Sequence, residues 1–163
     1  MENITKKENL LMAFILIAVC FRLIPHPPNF TPVTSLALFS GIMFQRKWLS
    51  ILVPMLAMVL SDFILGFSSI SVWVYFGFAL VSIMGWSFNQ INTKSILTSS
   101  LIFFIISNFG VWLLGYPHTI DGLIMCYTLA IPFFGYSILG DLFWGYSIKE
   151  SYRFIENKIL KLS

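Results

Sequence analysis

The sequence predicts an all-α membrane protein, a bundle of six transmembrane helices, and three observations support this class. Hydrophobic residues make up 58% of the 163 residues and charged residues only 10%, against roughly 25% charged in an ordinary soluble domain. The mean hydropathy is +0.85. The apolar residues also form runs long enough to cross a hydrocarbon core. Residues 1–163 are therefore predicted to form a single polytopic membrane domain, which excludes a secreted disulfide scaffold and a nucleic-acid binder.

Six apolar segments are predicted to cross the membrane, separated by short polar or proline-rich connections. The first has the layout of a signal peptide, because Lys6 and Lys7 precede it, but no small-residue cleavage site follows. We therefore interpret it as a transmembrane helix. The predicted spans are 10–24, 33–44, 48–67, 70–88, 95–115 and 135–151.

The apolar stretch 122–148 is longer than one span needs, and it contains Pro132 and Gly135. Because an internal proline breaks or kinks a helix, we expect two pieces here. The first is a short helix, 120–132, that lies in the outer interface or re-enters the protein, and the second is the final span. One long, tilted and kinked helix is the alternative.

Basic residues fall almost entirely on one side of this predicted topology. Six spans place both termini together, and nine of the ten Lys and Arg residues then lie on the side of the termini, with Arg22 alone opposite. Cytoplasmic loops carry the excess of Lys and Arg, so both termini are predicted to be cytoplasmic in a bacterial inner membrane. The positive charge after residue 149 is expected to rest against anionic lipid headgroups.

Polar side chains at membrane depth gather on the opposite, outer side. Each is a candidate for function, because an ionisable group within lipid is costly. Either Arg22 pairs with Asp62 or Asp141 as a structural clamp, or these groups line an outward-facing cavity for a small molecule. The candidate ligand-binding residues are Arg22, His26, Asn29, Asp62, Asn108, Trp112, Tyr116, His118 and Asp141.

Two local patterns strengthen the outer-site hypothesis. Asn108, Trp112 and Tyr116 follow one another at four-residue spacing, which places them on one helix face. Four prolines in the segment 25–32 stiffen the connection after the first span, as a lid over a cavity would require. The simpler interpretations are a helix tie for Asn108, an interfacial aromatic belt for Trp112 and Tyr116, and a tight turn for the proline-rich segment.

The arrangement of these motifs resembles the substrate-binding S components of energy-coupling-factor (ECF) vitamin transporters. The shared outline is a first helix with a proline-rich turn, a short second helix with small residues, and a third helix ending in Ser61-Asp62. More closely, the chain resembles a family of uncharacterised small bacterial integral membrane proteins with that outline. The matching segments are 22–32, 61–62, 108–112, 116–119 and 140–141. The resemblance implies six helices, an outer pocket, and a coupling subunit and ATPases as partners.

One feature of the S components is missing from the first helix. They carry an Ala-x-x-x-Ala surface that docks to the coupling subunit, whereas Ala13 and Ala18 are five residues apart here and position 17 is Ile. This difference leaves open an orphan binding protein, or a binding protein that serves another membrane complex.

We expect a membrane-embedded substrate-binding subunit of a small-molecule or vitamin uptake transporter, without a cofactor. The alternative is an accessory or structural subunit of a larger membrane complex, whose polar residues tie helices together. An enzyme is not favoured. A histidine with Asp62 or Asp141 would make an acid–base pair, but no nucleophile motif, metal-ligand cluster or phosphate-binding loop accompanies it. Cys20 and Cys126 are interpreted as small apolar fillers.

Overall fold

The computed structural model describes residues 6–24 and 29–159, and these residues form helices joined by short connections. A 3-10 turn, Cys20–Leu23, extends the first helix. The predicted all-α class with six helices is confirmed, and the described part of the chain contains no strand. The helices are α1 (Lys6–Val19), α2 (Val33–Met43), α3 (Lys47–Leu65), α4 (Ser71–Gly85), α5 (Thr93–Gly115) and α6 (Ile120–Ile159).

Helix boundaries follow from local backbone chemistry. α5 begins with a capping box, in which Asn92 Oδ1 accepts from Ser95 N at 2.9 Å and Ser95 Oγ accepts from Asn92 N at 3.0 Å. Such a box satisfies two of the N–H groups that the start of a helix leaves unpaired. α3 ends at Gly66, whose φ of 93° favours glycine. The N–H of Gly66 donates to the carbonyl of Asp62 at 2.8 Å and closes the last turn.

The short helix α2 lies at the centre of the bundle. Its residues from Val33 to Gly41 are all buried. The hydroxyl groups among them, on Thr34, Ser35 and Ser40, are hydrogen-bonded within the bundle, as buried polar groups require. α2 packs against α3, α4, α5 and α6. α2 comes very close to α4, where a Cβ atom added to Gly41 would clash with the backbone oxygen of Ser82 and lie 2.9 Å from the Cα of Gly85. Two glycines therefore let these two backbones touch.

Ion pairs and hydrogen bonds bring four parts of the chain to one end of the bundle, here called the basic end. Lys7 at the start of α1 pairs with Glu156 near the end of α6 at 3.1 Å. Arg46, before α3, pairs with Glu8 at 3.6 Å. Lys149 Nζ donates to the carbonyl of Ile91, between α4 and α5, at 3.0 Å. The opposite end, here called the Arg22 end, holds the 3-10 turn, the α3–α4 connection and the α5–α6 turn.

The division of the last apolar stretch into two helices is wrong, because α6 is continuous from Ile120 to Ile159 with Pro132 inside it. Its 40 residues extend about 60 Å at 1.5 Å per residue. A proline removes one hydrogen bond from a helix, and neighbouring helices compensate for that loss in membrane proteins. Pro54 lies within α3 in the same way. No separate interfacial or re-entrant helix precedes the final span in the described chain, and the alternative of one long helix is the arrangement found.

Three helices, α3, α5 and α6, are long and apolar enough to cross a membrane. α2 and α4 are apolar but have only 11 and 15 residues. They extend about 16 and 22 Å, whereas a hydrocarbon core is about 30 Å thick. The predicted second and fourth spans are therefore helical, and both are shorter than a full crossing by a straight helix.

Candidate functional site

Arg22 is part of a polar cluster that joins the 3-10 turn, α3 and α4 at the Arg22 end. Its Nη1 lies 2.5 Å from Asp62 Oδ1 and also donates to Ser61 Oγ. Tyr75 OH donates to the other carboxylate oxygen, Asp62 Oδ2. Asp62 is buried at 4% exposure. Of the two pairings that the sequence left open for Arg22, the structure contains the one with Asp62.

Local structure explains why these side chains meet. Asp62 lies in the last turn of α3, which Gly66 terminates, and Tyr75 lies near the start of α4 after a short connection. Arg22 lies in the 3-10 turn that continues α1. An arginine and a carboxylate from separate helices are paired here, which offsets part of the cost of burying each charge.

Asp141 lies apart from this cluster, within α6, and is 3% exposed. Ser100 Oγ of α5 donates to its Oδ2 at 2.6 Å, and the hydroxyl of Thr34 in α2 also hydrogen-bonds its carboxyl group. Ser35 Oγ donates to its backbone carbonyl at 2.9 Å. Asp141 therefore fastens α6 to both α2 and α5 through neutral hydroxyl groups. Among the described residues, no Lys or Arg forms a salt bridge with it.

A cavity of about 240 Å³ lies between α4, α5 and α6. It is in the half of the bundle nearer the Arg22 end, since Ile70 directly precedes α4 and Val111 lies near the end of α5. Its walls combine phenylalanine rings with a few amide and hydroxyl groups, the usual composition of a small-molecule site. The lining residues are Asn29, Ile70, Val74, Ser100, Phe103, Phe104, Ser107, Asn108, Val111, Ala130, Phe133, Phe134 and Ser137.

A second cavity of about 180 Å³ adjoins the first. The two share Asn29, Val74, Phe103 and Ser137 as wall residues. The smaller cavity extends from these residues towards Arg22 on one side and Thr34 on the other. Together the cavities form one polar and aromatic space between the Arg22 cluster and Asp141.

The structure brings five of the predicted site residues to this space. Arg22, Asn29 and Asn108 line its walls. Asp62 lies behind the wall, bonded to Arg22, and Asp141 lies behind it, bonded to Ser100 and Thr34. The two carboxylates therefore do not line the cavities themselves. Asp62 orients the wall residue Arg22, and Asp141 orients the wall residues Ser100 and Thr34.

Three other predicted site residues lie elsewhere, at the α5–α6 turn. Trp112 Nε1 donates to Pro117 O at 3.1 Å, and the His118 ring, whose Nε2 lies 2.9 Å from Leu113 O, packs 5.6 Å from the Trp112 ring. Neither they nor Tyr116 line the two cavities. Asn108 lies at the edge of the cavity-facing side of α5, and Trp112, about 40° further round the helix, lies outside that side. Tyr116 lies beyond the last residue of α5.

His26 lies outside the described residues, together with the other three residues of 25–28, the first half of the proline-rich segment 25–32. Within the described part of that segment, Asn29 has a positive φ of 62°, a conformation that asparagine tolerates better than most residues. Pro32 is buried and forms the N-cap of α2. The Asn29 side chain is placed between the two cavities by this turn.

Several wall residues were missed from the sequence, above all Ser100, Ser107 and Ser137. Five wall residues of α5 follow one another at steps of four, three, one and three, which is the pattern of one helix face. They are Ser100, Phe104, Ser107, Asn108 and Val111. This pattern in α5 is the signal that was available. Tyr75 gave no such signal, because a tyrosine near a helix end is ordinarily an interfacial residue.

Neither cysteine pairs with the other, and the described residues hold no metal-ligand cluster. Cys20 is exposed and Cys126 is buried, and both are free thiols. Cys126 Sγ lies 3.6 Å from the carbonyl of Asn108, which is consistent with a role as a small filler between α5 and α6. Within residues 6–24 and 29–159, no group of three or more His, Cys, Asp or Glu side chains converges on one point.

Over its described residues, the chain is a small all-helical protein with three helices able to cross a membrane and a polar, aromatic space between its helices. The chain belongs to a family of unknown function (DUF6580), whose model matches residues 2–162. No curated protein and no solved structure matches it.

Proposed function

We propose that this protein is a membrane-embedded binding subunit for a small molecule, similar to the S components of ECF vitamin transporters. The observation that carries the proposal is the pair of adjoining cavities of about 240 and 180 Å³. Their size suits a small organic molecule, and polar groups from four elements converge on them. A bundle held together by packing alone would fill these positions with apolar side chains at lower cost.

The proposed setting is the bacterial inner membrane, with the basic end in the cytoplasm. α1 starts and α6 ends at this end, and Lys and Arg residues concentrate there, as cytoplasmic segments require. The cavities then belong to the outer half of the bundle, where a subunit for uptake meets its substrate. The basic residues at the end of α6 contact anionic lipid headgroups in this orientation.

The proposed role is binding and not catalysis, so uptake depends on partner subunits. A separate coupling subunit with ATPases, or another membrane complex, would supply the energy. The exposed side of α1 is available for such a partner, with Ile17 65% exposed. Since this helix lacks the Ala-x-x-x-Ala surface of the S components, the partner surface differs from theirs.

Mass spectrometry of the molecules that co-purify with the protein in mild detergent is the decisive experiment. Asn108→Leu removes a polar wall group at similar size, and we expect it to abolish retention of the small molecule with little change in melting temperature. Tyr116→Phe is the matched control, since Tyr116 lies outside both cavities, and it should retain the molecule. If wild type carries no small molecule and instead stays with a larger complex, the protein is an accessory subunit and the binding role is refuted.

A further inference from the structure

The hydroxyl groups of Ser107 and Ser137 and one N–H of Asn108, all around the larger cavity, already donate to acceptors within the protein. Ser107 Oγ donates to Phe103 O at 2.8 Å, and Ser137 Oγ donates to Phe133 O at 3.1 Å. Asn108 Nδ2 donates to Phe104 O at 2.8 Å. A hydroxyl has one hydrogen to give and two lone pairs to accept with. What these side chains offer to a ligand is therefore mainly oxygen acceptors, and the complementary ligand is a donor of hydrogen bonds.

The charge around the cavities points in the same direction. The guanidinium of Arg22 is neutralised by Asp62, whose Oδ1 lies 2.5 Å away. Asp141 has no such counter-charge among the described residues, and only hydroxyl groups bond its carboxylate. One of them, Ser100, lines the larger cavity, and the other, Thr34, lines the smaller one. When ionised, Asp141 places a negative charge one hydroxyl behind the wall, and a positive charge inside the cavity stabilises this ionised form, because screening by water is weak at this depth.

Aromatic rings complete the surroundings of the larger cavity. Four phenylalanines, Phe103, Phe104, Phe133 and Phe134, belong to its wall. The negative face of an aromatic ring attracts an ammonium group, and the attraction is strongest where water is excluded. The acceptor oxygens favour a donor of hydrogen bonds, and the aromatic rings and the Asp141 side chain favour a positive charge. A protonated amine meets all three conditions.

We propose that the larger cavity binds an organic cation, a protonated amine with an apolar or aromatic body, and that Asp141 supplies its counter-charge. This inference rests on the proposed function and adds the substrate class to it. The ammonium group donates to the oxygens of Ser100, which bonds Asp141, and of Ser137, one turn before Asp141 in α6. Its apolar body packs among the phenylalanine rings and extends towards Ser107 and Asn108. Asn29, whose amide both donates and accepts, lies at the border with the smaller cavity.

The test uses three matched probes on the full-length protein in nanodiscs: 2-phenylethylammonium, the neutral 2-phenylethanol and the anionic 3-phenylpropanoate. Binding is followed by isothermal titration calorimetry. We expect the ammonium probe to bind at least about tenfold more tightly than the alcohol, as one well-placed charge interaction allows. The anion should bind most weakly. Equal binding of the three probes, or a preference for the anion, would overturn the inference.

Asp141→Asn then tests the source of the selectivity. Asparagine keeps the size of the side chain, and its remaining carbonyl oxygen has two lone pairs with which to accept from Ser100 and Thr34, so the variant removes the charge and exchanges one oxygen for an amide group. We expect the preference for ammonium over alcohol to fall about tenfold, with the affinity for the alcohol unchanged. Asp121→Asn is the control, because Asp121 is exposed at the start of α6 and the change in net charge is identical. If this control loses the preference equally, Asp141 has no special role and that assignment is refuted.

Two further outcomes separate this inference from the proposed function. A co-purified small molecule without a positively charged group would refute the cation but support a binding subunit. A protein that binds none of the three probes and carries no small molecule would refute both. If Asp141→Asn fails to fold, the wild-type probe series alone decides whether the cavity selects cations.

Discussion

At the scale of single residues, Arg22 carries the strongest interaction at its end of the bundle. One guanidinium joins the 3-10 turn to α3 through Asp62 and Ser61, and Tyr75 adds α4 to the same carboxylate. A buried carboxylate that loses its cation is strongly destabilising, whereas an apolar pair in place of both charges is tolerated. The cluster therefore stabilises three elements, and its Arg22 also lines the smaller cavity.

We predict that Asp62→Leu lowers the free energy of unfolding by about 3–5 kcal/mol, because it leaves Arg22 half-buried without its partner. Adding Arg22→Met should recover part of this loss, while Tyr75→Phe alone should cost about 1 kcal/mol for one hydrogen bond. Denaturant unfolding in detergent micelles measures all of these. In the control pair, Arg22→Met with Asp141→Asn, the costs should simply add. A double variant of Arg22 and Asp62 no more stable than either single variant would contradict the pairing.

The sequence identified Arg22, Asp62 and Asp141 because ionisable residues at membrane depth stand out in an apolar chain. It did not decide between the two pairings, since that choice depends on distances across the bundle. Asn108 was found for the same reason as the charges. The serines of the cavity wall were not, because a serine in a membrane helix ordinarily bonds the carbonyl one turn before it, as Ser107 and Ser137 also do.

At the scale of helices, the boundaries of α2, α3 and α5 were predicted correctly to within a few residues. The prediction used the proline, glycine and polar residues that flank these helices. The two-part interpretation of α6 failed because a proline in a membrane helix costs one hydrogen bond and need not end the helix. The sequence gives no direct sign of whether neighbouring helices compensate. The contact of α2 with α4 was only hinted at by the small residues Ala37 and Gly41, since its partner Gly85 lies on another helix.

We predict that Gly41→Ala destabilises the protein by about 3 kcal/mol through overpacking. The new Cβ would clash with the backbone oxygen of Ser82 and lie 2.9 Å from Gly85 Cα, and backbone atoms cannot move aside as a flexible side chain can. Gly135→Ala is the matched control, since a Cβ at Gly135 meets no atom within 4 Å. It should stabilise α6 by about 0.5–1 kcal/mol through the lower backbone entropy of the unfolded chain. Equal melting temperatures for the two variants would show that α2 and α4 are not in backbone contact.

At the scale of the whole molecule, the bundle has two chemically distinct ends. The basic end combines the start of α1, the α2–α3 and α4–α5 connections and the last turns of α6, held by Lys7–Glu156 and Arg46–Glu8. The Arg22 end carries the cavities and the buried ion pair. Consecutive helices therefore run in alternating directions, as expected when every connection is short. The distribution of Lys and Arg along the sequence predicted these two ends. Which segments share an end depends on the order of the segments along the chain and not on how the helices pack.

The last prediction concerns how this bundle lies in a membrane. A reporter fused after Ser68, between α3 and α4, should report the periplasmic side, and one fused at the C-terminus should report the cytoplasm. Basic connections are retained in the cytoplasm, and Ser68 lies at the end opposite the Lys7–Glu156 pair.

A second fusion after Gln90, between α4 and α5, should agree with the C-terminal one even though α4 has only 15 residues. Because α4 packs between α2, α3 and α5, neighbouring helices and not lipid surround much of it, so its short length is no barrier to crossing. If the fusions after Ser68 and Gln90 report the same side, α4 does not cross, and the cavities would then no longer belong to the outer half.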